Sequence, residues 1–332
     1  MRRPALAAVA ALSLSTLGLA ACGSSSGSGG TQLSLVAYST PQTAYDKIIK
    51  AFQATSAGKN VTFQQSYGAS GDQSRAVESG QKADIVAFSL QPDITRLVKD
   101  GIVASSWNSN TYKGMITDSV VSLVVRKGNP KHITDWPDLA KDGIKVVTPN
   151  PFSSGSAQWN IMGAYGSQIK GGSSPQQAQD YLTSVLKNTA VQDQSGRKAL
   201  QTFTSGTGDV LISYENEAIF AQQNHQPVDY VVPDKTLLIE NPVAVTKDSK
   251  HPKEAKAFLQ FLYSDKAQQI FADNGYRPIV PTVAKGKFKT PSGLFTINDF
   301  GGWPAVTKKF FDPQSGIVAG IEKKLGVSVA KK

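Results

Sequence analysis

The sequence predicts an α/β fold of two lobes, each a mostly parallel sheet flanked by helices, with a hinge between them. Strand and helix signals alternate along the chain, and a long β-branched segment divides that alternation into two series. About 300 residues follow the leader, which is room for two units of ordinary domain size.

The leader itself is set apart by composition. Arg2 and Arg3 form a positive start, and Ala5 to Leu19 form an apolar run too short for a comfortable membrane span. Leu19-Ala20-Ala21-Cys22 then places small residues directly before a cysteine. The pattern predicts a secretory signal peptide over 1–21, with Cys22 acylated after cleavage. Cys22 is the only cysteine of the chain, so disulfides and thiolate chemistry are excluded for the rest. Residues 22–31 read as the lipidated cysteine and a Ser/Gly tether. The literal G-x-S-x-G from Gly23 to Gly27 lies in that tether, with no strand before it and no helix after it. It is not a nucleophile elbow. The expected location is outside the cytoplasm, at the outer face of the bacterial cytoplasmic membrane.

Beyond the tether, Leu33 to Tyr38 reads as a strand, and Tyr45, Ile48, Ile49 and Phe52 recur at helical spacing. Val61 to Gln65 is a second strand, followed by a Gly/Ser turn and a helix through Val77. Asp84 to Phe88 is a buried-type strand, with a helix through Ile94, Leu97 and Val98 that stops at Gly101. Ser119 to Arg126 is strongly β-branched and opens the second series, with strands at Ile144 to Thr148 and Asp209 to Tyr214. Helices are expected after Ser154 and from Pro175 to Leu186. Asp229 to Pro233 and Pro242 to Thr246 read as strands, and Lys253 to Tyr263 as an amphipathic helix. The lobes are expected to comprise 32–118 plus 243–332 and, separately, 119–242, with crossings near Asp118 and Asn241.

Hydrophobic content of 40% and charged content of 18% describe a soluble globular chain. The formal charge is +10, and its lysines are scattered apart from Lys285 to Lys289 and Lys331-Lys332. Nucleic acid is not an expected partner of an exported protein. A mild basic field that concentrates small anions is the better use.

One local pattern recurs four times: a strand ends, a cluster of Ser, Thr or Gly follows, and a helix begins. The clusters are Tyr38-Ser39-Thr40-Pro41, Tyr67 to Gly71, Phe152 to Ser156, and Gln194-Ser195-Gly196-Arg197. In an open α/β sheet, ligands bind beyond the carboxyl ends of the strands. A helix N-terminus offers unpaired N–H groups and a partial positive charge, which suits an anion. Any one cluster is equally an ordinary N-cap; four of them, two in each lobe, point to a shared anion cleft.

These residues also carry a resemblance. Gln65–Gly71 (QSYGASG), Val125–Lys131 (VRKGNPK), Thr148–Gly155 (TPNPFSSG), Gly208–Ala218 (GDVLISYENEA), Tyr276–Pro278 (YRP) and Phe300–Trp303 (FGGW) run in order. In these segments the chain resembles the sulfate- and thiosulfate-binding proteins of bacterial ABC uptake transporters, from about Leu33 to Phe311. The resemblance implies a two-lobed, type II periplasmic-binding-protein-like fold that closes on a dehydrated sulfate held by neutral donors. Carried over by motif, Ser39, Ser70, Gly155, Ser156 and Gly196 would offer backbone N–H groups, and Ser154 its hydroxyl. Tyr214 stands where the family commonly has a tryptophan. Ser39 replaces an acidic residue, Ser156 the second of paired glycines, and Gln158 an arginine. Thr40 and Arg197 are possible supports, Arg197 as a brace of its loop. The implied partners are sulfate or thiosulfate and an ABC permease complex. A monomer without metal or cofactor is expected.

Sulfate at neutral pH only accepts hydrogen bonds, whereas hydrogen phosphate keeps a proton that rewards an acceptor. The clusters contain one nearby acid, Asp72, which favours sulfate over phosphate. Molybdate, tungstate and phosphate stay open as alternatives. An exported enzyme is the rival of a different class. His132, His225 and His251 are scattered, no clustered metal-ligand motif appears, and Glu215 and Glu217 read as complements to a helix dipole. A bound ligand recovered unchanged would separate binder from enzyme. Replacing Cys22 with serine is expected to release the protein from membranes while leaving anion affinity unchanged. A Cys22→Ser protein that stays membrane-bound after a salt wash rules out the lipid anchor.

Overall fold

The computed structural model describes residues 30–327. The leader, Cys22, the tether through Ser28 and Gly29, and the terminal Lys331-Lys332 therefore lie outside the described residues. The first series comprises β1 (Thr31–Tyr38), α1 (Gln42–Gln53), β2 (Val61–Gly68), α2 (Ser70–Glu78), β3 (Ile85–Ala87) and α3 (Gln91–Lys99). After β4 (Met115–Arg126), the second runs through β5 (Val146–Pro149), α4 (Gly155–Lys170), α5 (Pro175–Lys187), β6 (Thr189–Asp193), α6 (Gly196–Thr204), β7 (Val210–Tyr214), α7 (Glu215–Gln223) and β8 (Val228–Val231). β9 (Leu238–Val245), α8 (Pro252–Leu262), α9 (Asp265–Asp273), β10 (Arg277–Pro278), α10 (Gly302–Phe310) and α11 (Ile317–Lys324) complete the chain. β1 begins at Thr31, inside the stretch assigned to the tether.

The strands form one sheet in the order β2-β1-β3-β9-β4-β7-β5-β6, with β8 and β10 added along β4. β1 pairs in parallel with β2 and β3, and β5 with β6 and β7, so each half of the sheet is mostly parallel. β9 runs antiparallel to β3, β4 runs antiparallel to β7, and β4 and β9 are antiparallel to each other. β4 is the spine: Met115 to Val120 pair with β9, and Val121 to Val125 pair with β7. Its apolar residues are buried on both faces, as expected of a strand covered by helices on each side.

Local chemistry explains most boundaries. Tyr45, Ile48, Ile49 and Phe52 form the buried face of α1. α5 starts with a capping box between Ser174 and Gln177 and has proline at its first turn. β6 escaped the sequence reading because its residues are half-buried or exposed and lack a continuous apolar run. β9 begins at Leu238, before the expected strand start at Pro242. Proline supplies no ladder N–H, and the register is irregular where Met115 meets Pro242.

The sequence groups the C-terminal segment with the first lobe and leaves open the lobe of its last helix. From Phe295 onwards the segment packs against the second half. Leu238 donates its backbone N–H to Phe295 O at 2.8 Å, and Phe295 donates to Thr236 O at 3.0 Å. Trp303 stands edge-on to Trp159 at 4.6 Å, and Phe310 to Tyr165 at 4.8 Å. Val318 and Ile321 share a core with Trp136, Met162 and Leu182. Burying these aromatics requires the large apolar surface of α4 and α5, so the chain crosses between the halves a third time, after β10.

The three crossing segments carry a charged row. Glu240 of β9 is opposite Asp118 of β4, and Asp118 is in turn opposite Arg277 of β10. Burial, then the neighbouring Glu240 carboxylate, push Asp118 up to about 7 against the pull of Arg277. Burial also raises Glu240, against Lys113. The folded chain thus holds the Asp118 proton more tightly than the unfolded chain does. That contribution to stability is fully present below an unfolded value near 4 and is lost as pH rises through about 7. The expected loss from this group is about 2–3 kcal/mol between pH 5 and pH 8. Urea unfolding at the two pH values should show it in the wild-type chain and not in Asp118→Asn. Equal losses in both proteins exclude Asp118 as the source.

Candidate functional site

The parallel pairing aligns strand ends. Tyr38 is in register with Gly68, and Ala37 with Ala87, so the loops after β1, β2 and β3 leave one edge of the sheet together. In the second half Pro149 is in register with Asp193, which aligns the starts of α4 and α6. The helices therefore turn their N-termini, with their unpaired N–H groups, towards a common cleft.

Contacts across the cleft join the predicted clusters pairwise. Gly71 donates its N–H to Ser153 O at 3.1 Å, linking the starts of α2 and α4. A Cβ on Gly196 would stand 2.9 Å from Ser156 Oγ and 3.4 Å from Thr40 Cγ2. The loop after β1 and the starts of α4 and α6 thus meet at one point, and Gly196 is needed for the approach. A Cβ on Gly155 would stand 2.7 Å from Ser89 Oγ. Ser70, Ser154, Ser156 and Tyr214 are all buried, to 2%, 3%, 5% and 0% exposure, while Ser39 stays half-exposed beside the buried Thr40.

The hydroxyls have distinct assignments. Ser70 donates to Asp93 Oδ2 at 2.6 Å and accepts from Ser89 N at 2.9 Å, so its side chain is spent and only its first-turn N–H faces outward use. Ser154 holds the N-cap position of α4, yet its side chain makes no capping hydrogen bond. The Tyr214 hydroxyl lies 2.6 Å from Ser89 Oγ. Burial raises Tyr214, Tyr38 and Tyr276 above the usual phenol range, so all three remain protonated donors at neutral pH. Tyr276 uses its proton on Thr40 Oγ1 at 3.1 Å. Gln158, in the place of the family's arginine, donates to Pro151 O at 3.0 Å.

Arg197 is a brace. Its guanidinium holds Glu217 through two bonds of 2.8 and 2.9 Å, donates to Thr40 O at 2.7 Å, and lies over the Phe220 ring. Burial pushes the Glu217 carboxyl up, against the pull of Arg197. The helix-dipole reading of Glu215 and Glu217 is incomplete. Both stand in the first turn of α7, but each is buried against an arginine, Glu215 accepting from Arg277 at 2.8 Å.

Asp72 is held at the rim of the cleft. It pairs with Arg75 and accepts from Gln194 Nε2 at 2.8 Å, closing the rim between the starts of α2 and α6. Asp93 is a second cleft acid that the sequence reading missed. Burial raises it, while Arg96 and Ser70 pull it down. The carboxylates of Asp72, Asp93 and Glu217 are thus each engaged by an arginine.

Ser89 was also missed. It follows β3 as the other clusters follow their strands, and Pro92 then sits in the first turn of α3. The signal was present, a serine directly after a strand, but a lone serine between Phe88 and Leu90 does not form a Ser/Thr/Gly cluster. In the fold, Ser89 O accepts from Trp159 Nε1 at 2.9 Å and from Asn241 Nδ2 at 3.1 Å.

Known proteins share this chain's sequence and fold. The family described as Bacterial extracellular solute-binding protein matches residues 33–277. The sulfate-binding protein of Synechococcus elongatus is 42% identical over 328 residues, covering 93% of this chain and 94% of its own. The thiosulfate-binding protein of Pseudomonas aeruginosa is 35% identical, over 83% of this chain and 88% of its own. The solved sulfate-binding protein SubI from Mycobacterium tuberculosis superposes with a TM-score of 0.82 at 45% identity, covering 85% of this chain and 100% of that one. The chain belongs to the bacterial extracellular solute-binding proteins, and within them it groups with the sulfate- and thiosulfate-binding members.

Proposed function

We propose that the chain captures sulfate, or thiosulfate, in the cleft between the two halves of its sheet and presents it to an ABC permease. The observation that carries this reading is the approach of the N-termini of α2 and α6 to the start of α4, through Gly71 with Ser153 and Gly196 with Ser156, with the carboxylates of Asp72, Asp93 and Glu217 tied to arginines. An anion that only accepts hydrogen bonds needs such a surround: donors without competing acceptors. Backbone N–H groups of Ser39, Ser70, Gly155, Ser156 and Gly196, the Ser154 hydroxyl and the Tyr214 phenol are the proposed donors. Neutral donors suit burial, because an imperfectly paired buried charge is costly. Relatives that are solute-binding proteins support a binder rather than an enzyme, and Cys22 would hold it at the membrane.

The proposed lobes are 32–118 with 243–294, and 119–242 with the segment from Phe295 on, hinged where β4, β9 and the stretch after β10 cross. Small-angle scattering is expected to show compaction on saturation with sulfate; identical curves with and without sulfate rule out the hinge.

Ser154→Ala tests the donor set. Its hydroxyl makes no capping bond, so stability should change by less than the usual cap cost of about 1 kcal/mol. Sulfate affinity should fall roughly ten- to a hundred-fold, the equivalent of about 1.5–3 kcal/mol for a hydrogen bond to a charged group. Calorimetric titration and thermal unfolding of the same protein separate the two effects. Lost stability with retained affinity returns Ser154 to a structural role.

A further inference from the structure

We propose that Ser89 is a positioning residue that lets Tyr214 switch between donating to the bound anion and accepting from it, so that the cleft admits singly protonated tetrahedral oxyanions beside fully deprotonated ones. The inference rests on the anion reading of the cleft and concerns which anions that cleft distinguishes.

The backbone of Ser89 has no freedom left: its N–H donates to Ser70 Oγ, and its carbonyl accepts from both Trp159 Nε1 and Asn241 Nδ2. Those partners come from α2, α4 and β9. Gly155 packs so closely that a Cβ there would meet both Ser89 Oγ and Ser89 Cβ within 3 Å. What remains free at Ser89 is the rotation of its hydroxyl proton.

That hydroxyl shares a 2.6 Å bond with Tyr214, in which either oxygen can be the donor. Two hydroxyls carry two protons, and one proton fills the bond between them. When Ser89 donates to Tyr214, the phenol proton is released towards the cleft, as an anion such as sulfate requires. When Tyr214 donates to Ser89, the phenol oxygen presents a lone pair and can accept the proton of hydrogen phosphate. An indole in the same position donates in every case and has no such second state. Asn241 does not provide the switch. Its Oδ1 accepts from Thr117 Oγ1 at 3.4 Å and its Nδ2 donates to Ser89 O at 3.1 Å, so its amide is oriented by partners other than Tyr214.

Ser89 therefore matters most when Tyr214 must turn its own proton away from the ligand. Removing the Ser89 hydroxyl takes from that proton the partner that holds it at 2.6 Å, a loss greatest in the protonated-oxyanion complex.

The test is calorimetric titration of the mature chain with sulfate and with inorganic phosphate at pH 8, in wild type, Ser89→Ala and Tyr214→Trp. Wild type is expected to bind both anions. Ser89→Ala should weaken sulfate binding a few-fold and phosphate binding at least about ten times more than that. Tyr214→Trp removes the accepting state by a different route and should raise the sulfate-to-phosphate ratio in the same direction. It keeps the test intact if Ser89→Ala does not fold. Equal weakening of both anions in Ser89→Ala makes Ser89 a structural latch and overturns the proposal, as does a wild-type chain that binds sulfate but no phosphate. A wild-type chain that binds no sulfate overturns the underlying reading of the cleft instead.

Discussion

The peptide group of Ser89 ties together the parts of the cleft that sequence keeps far apart. Through its N–H it holds the start of α2, through its carbonyl it holds Trp159 of α4 and Asn241 of β9. A buried peptide must satisfy its hydrogen-bonding groups, and here the partners that satisfy it belong to both halves of the sheet. The close approach of Gly155 follows from that tie, because a side chain at 155 would collide with Ser89. With Gly155 in place, the first turn of α4 stands against the loop after β3. The Ser154 hydroxyl is then brought to the same buried region as the N-termini of α2 and α6.

Charge is arranged around this knot so that Asp72, Asp93 and Glu217 are each paired with an arginine. Arg197 spans from Glu217 on α7 to the carbonyl of Thr40 in the opposite half. Arg75 holds Asp72 at the rim and reaches towards Phe152 O at 3.4 Å. Arg96 pairs with Asp93. A buried guanidinium that keeps its own carboxylate adds little net charge to the cleft. It does add rigidity, since its planar fork fixes the loops it bridges. The net result is a basic protein whose proposed site relies on neutral donors and dipoles, with arginines as scaffolding.

The crossing strands carry a different kind of constraint. β4 and β9 pair along the stretch where the chain passes between halves, and β10 joins them at Thr117 and Asp118. A third crossing after β10 lets α10 and α11 cover the apolar surface of α4 and α5. The row of Glu240, Asp118 and Arg277 lies across these strands. Arg277 also holds Glu215, the residue after Tyr214. The charge state of the crossing row and the start of α7 are therefore connected through one guanidinium.

What was legible in the sequence was local. The alternation of strands and helices, the caps, and the Ser/Gly clusters at Ser70, Ser154 to Ser156 and Gly196 follow from short-range backbone chemistry, in which each signal spans a few residues. Sulfate capture was legible through the ordered segments shared with a known group. Only the tertiary structure decided the pairing of Arg197 with Glu217, the role of Ser89, the alignment of Glu240 with Asp118 and Arg277, and the return of the C-terminal helices to the second half. Each of these depends on sheet register and crossovers between residues tens to hundreds apart. One residue of register shift turns a side chain to the other face of a sheet, and that choice is made by burial of the whole core, to which no short segment has access.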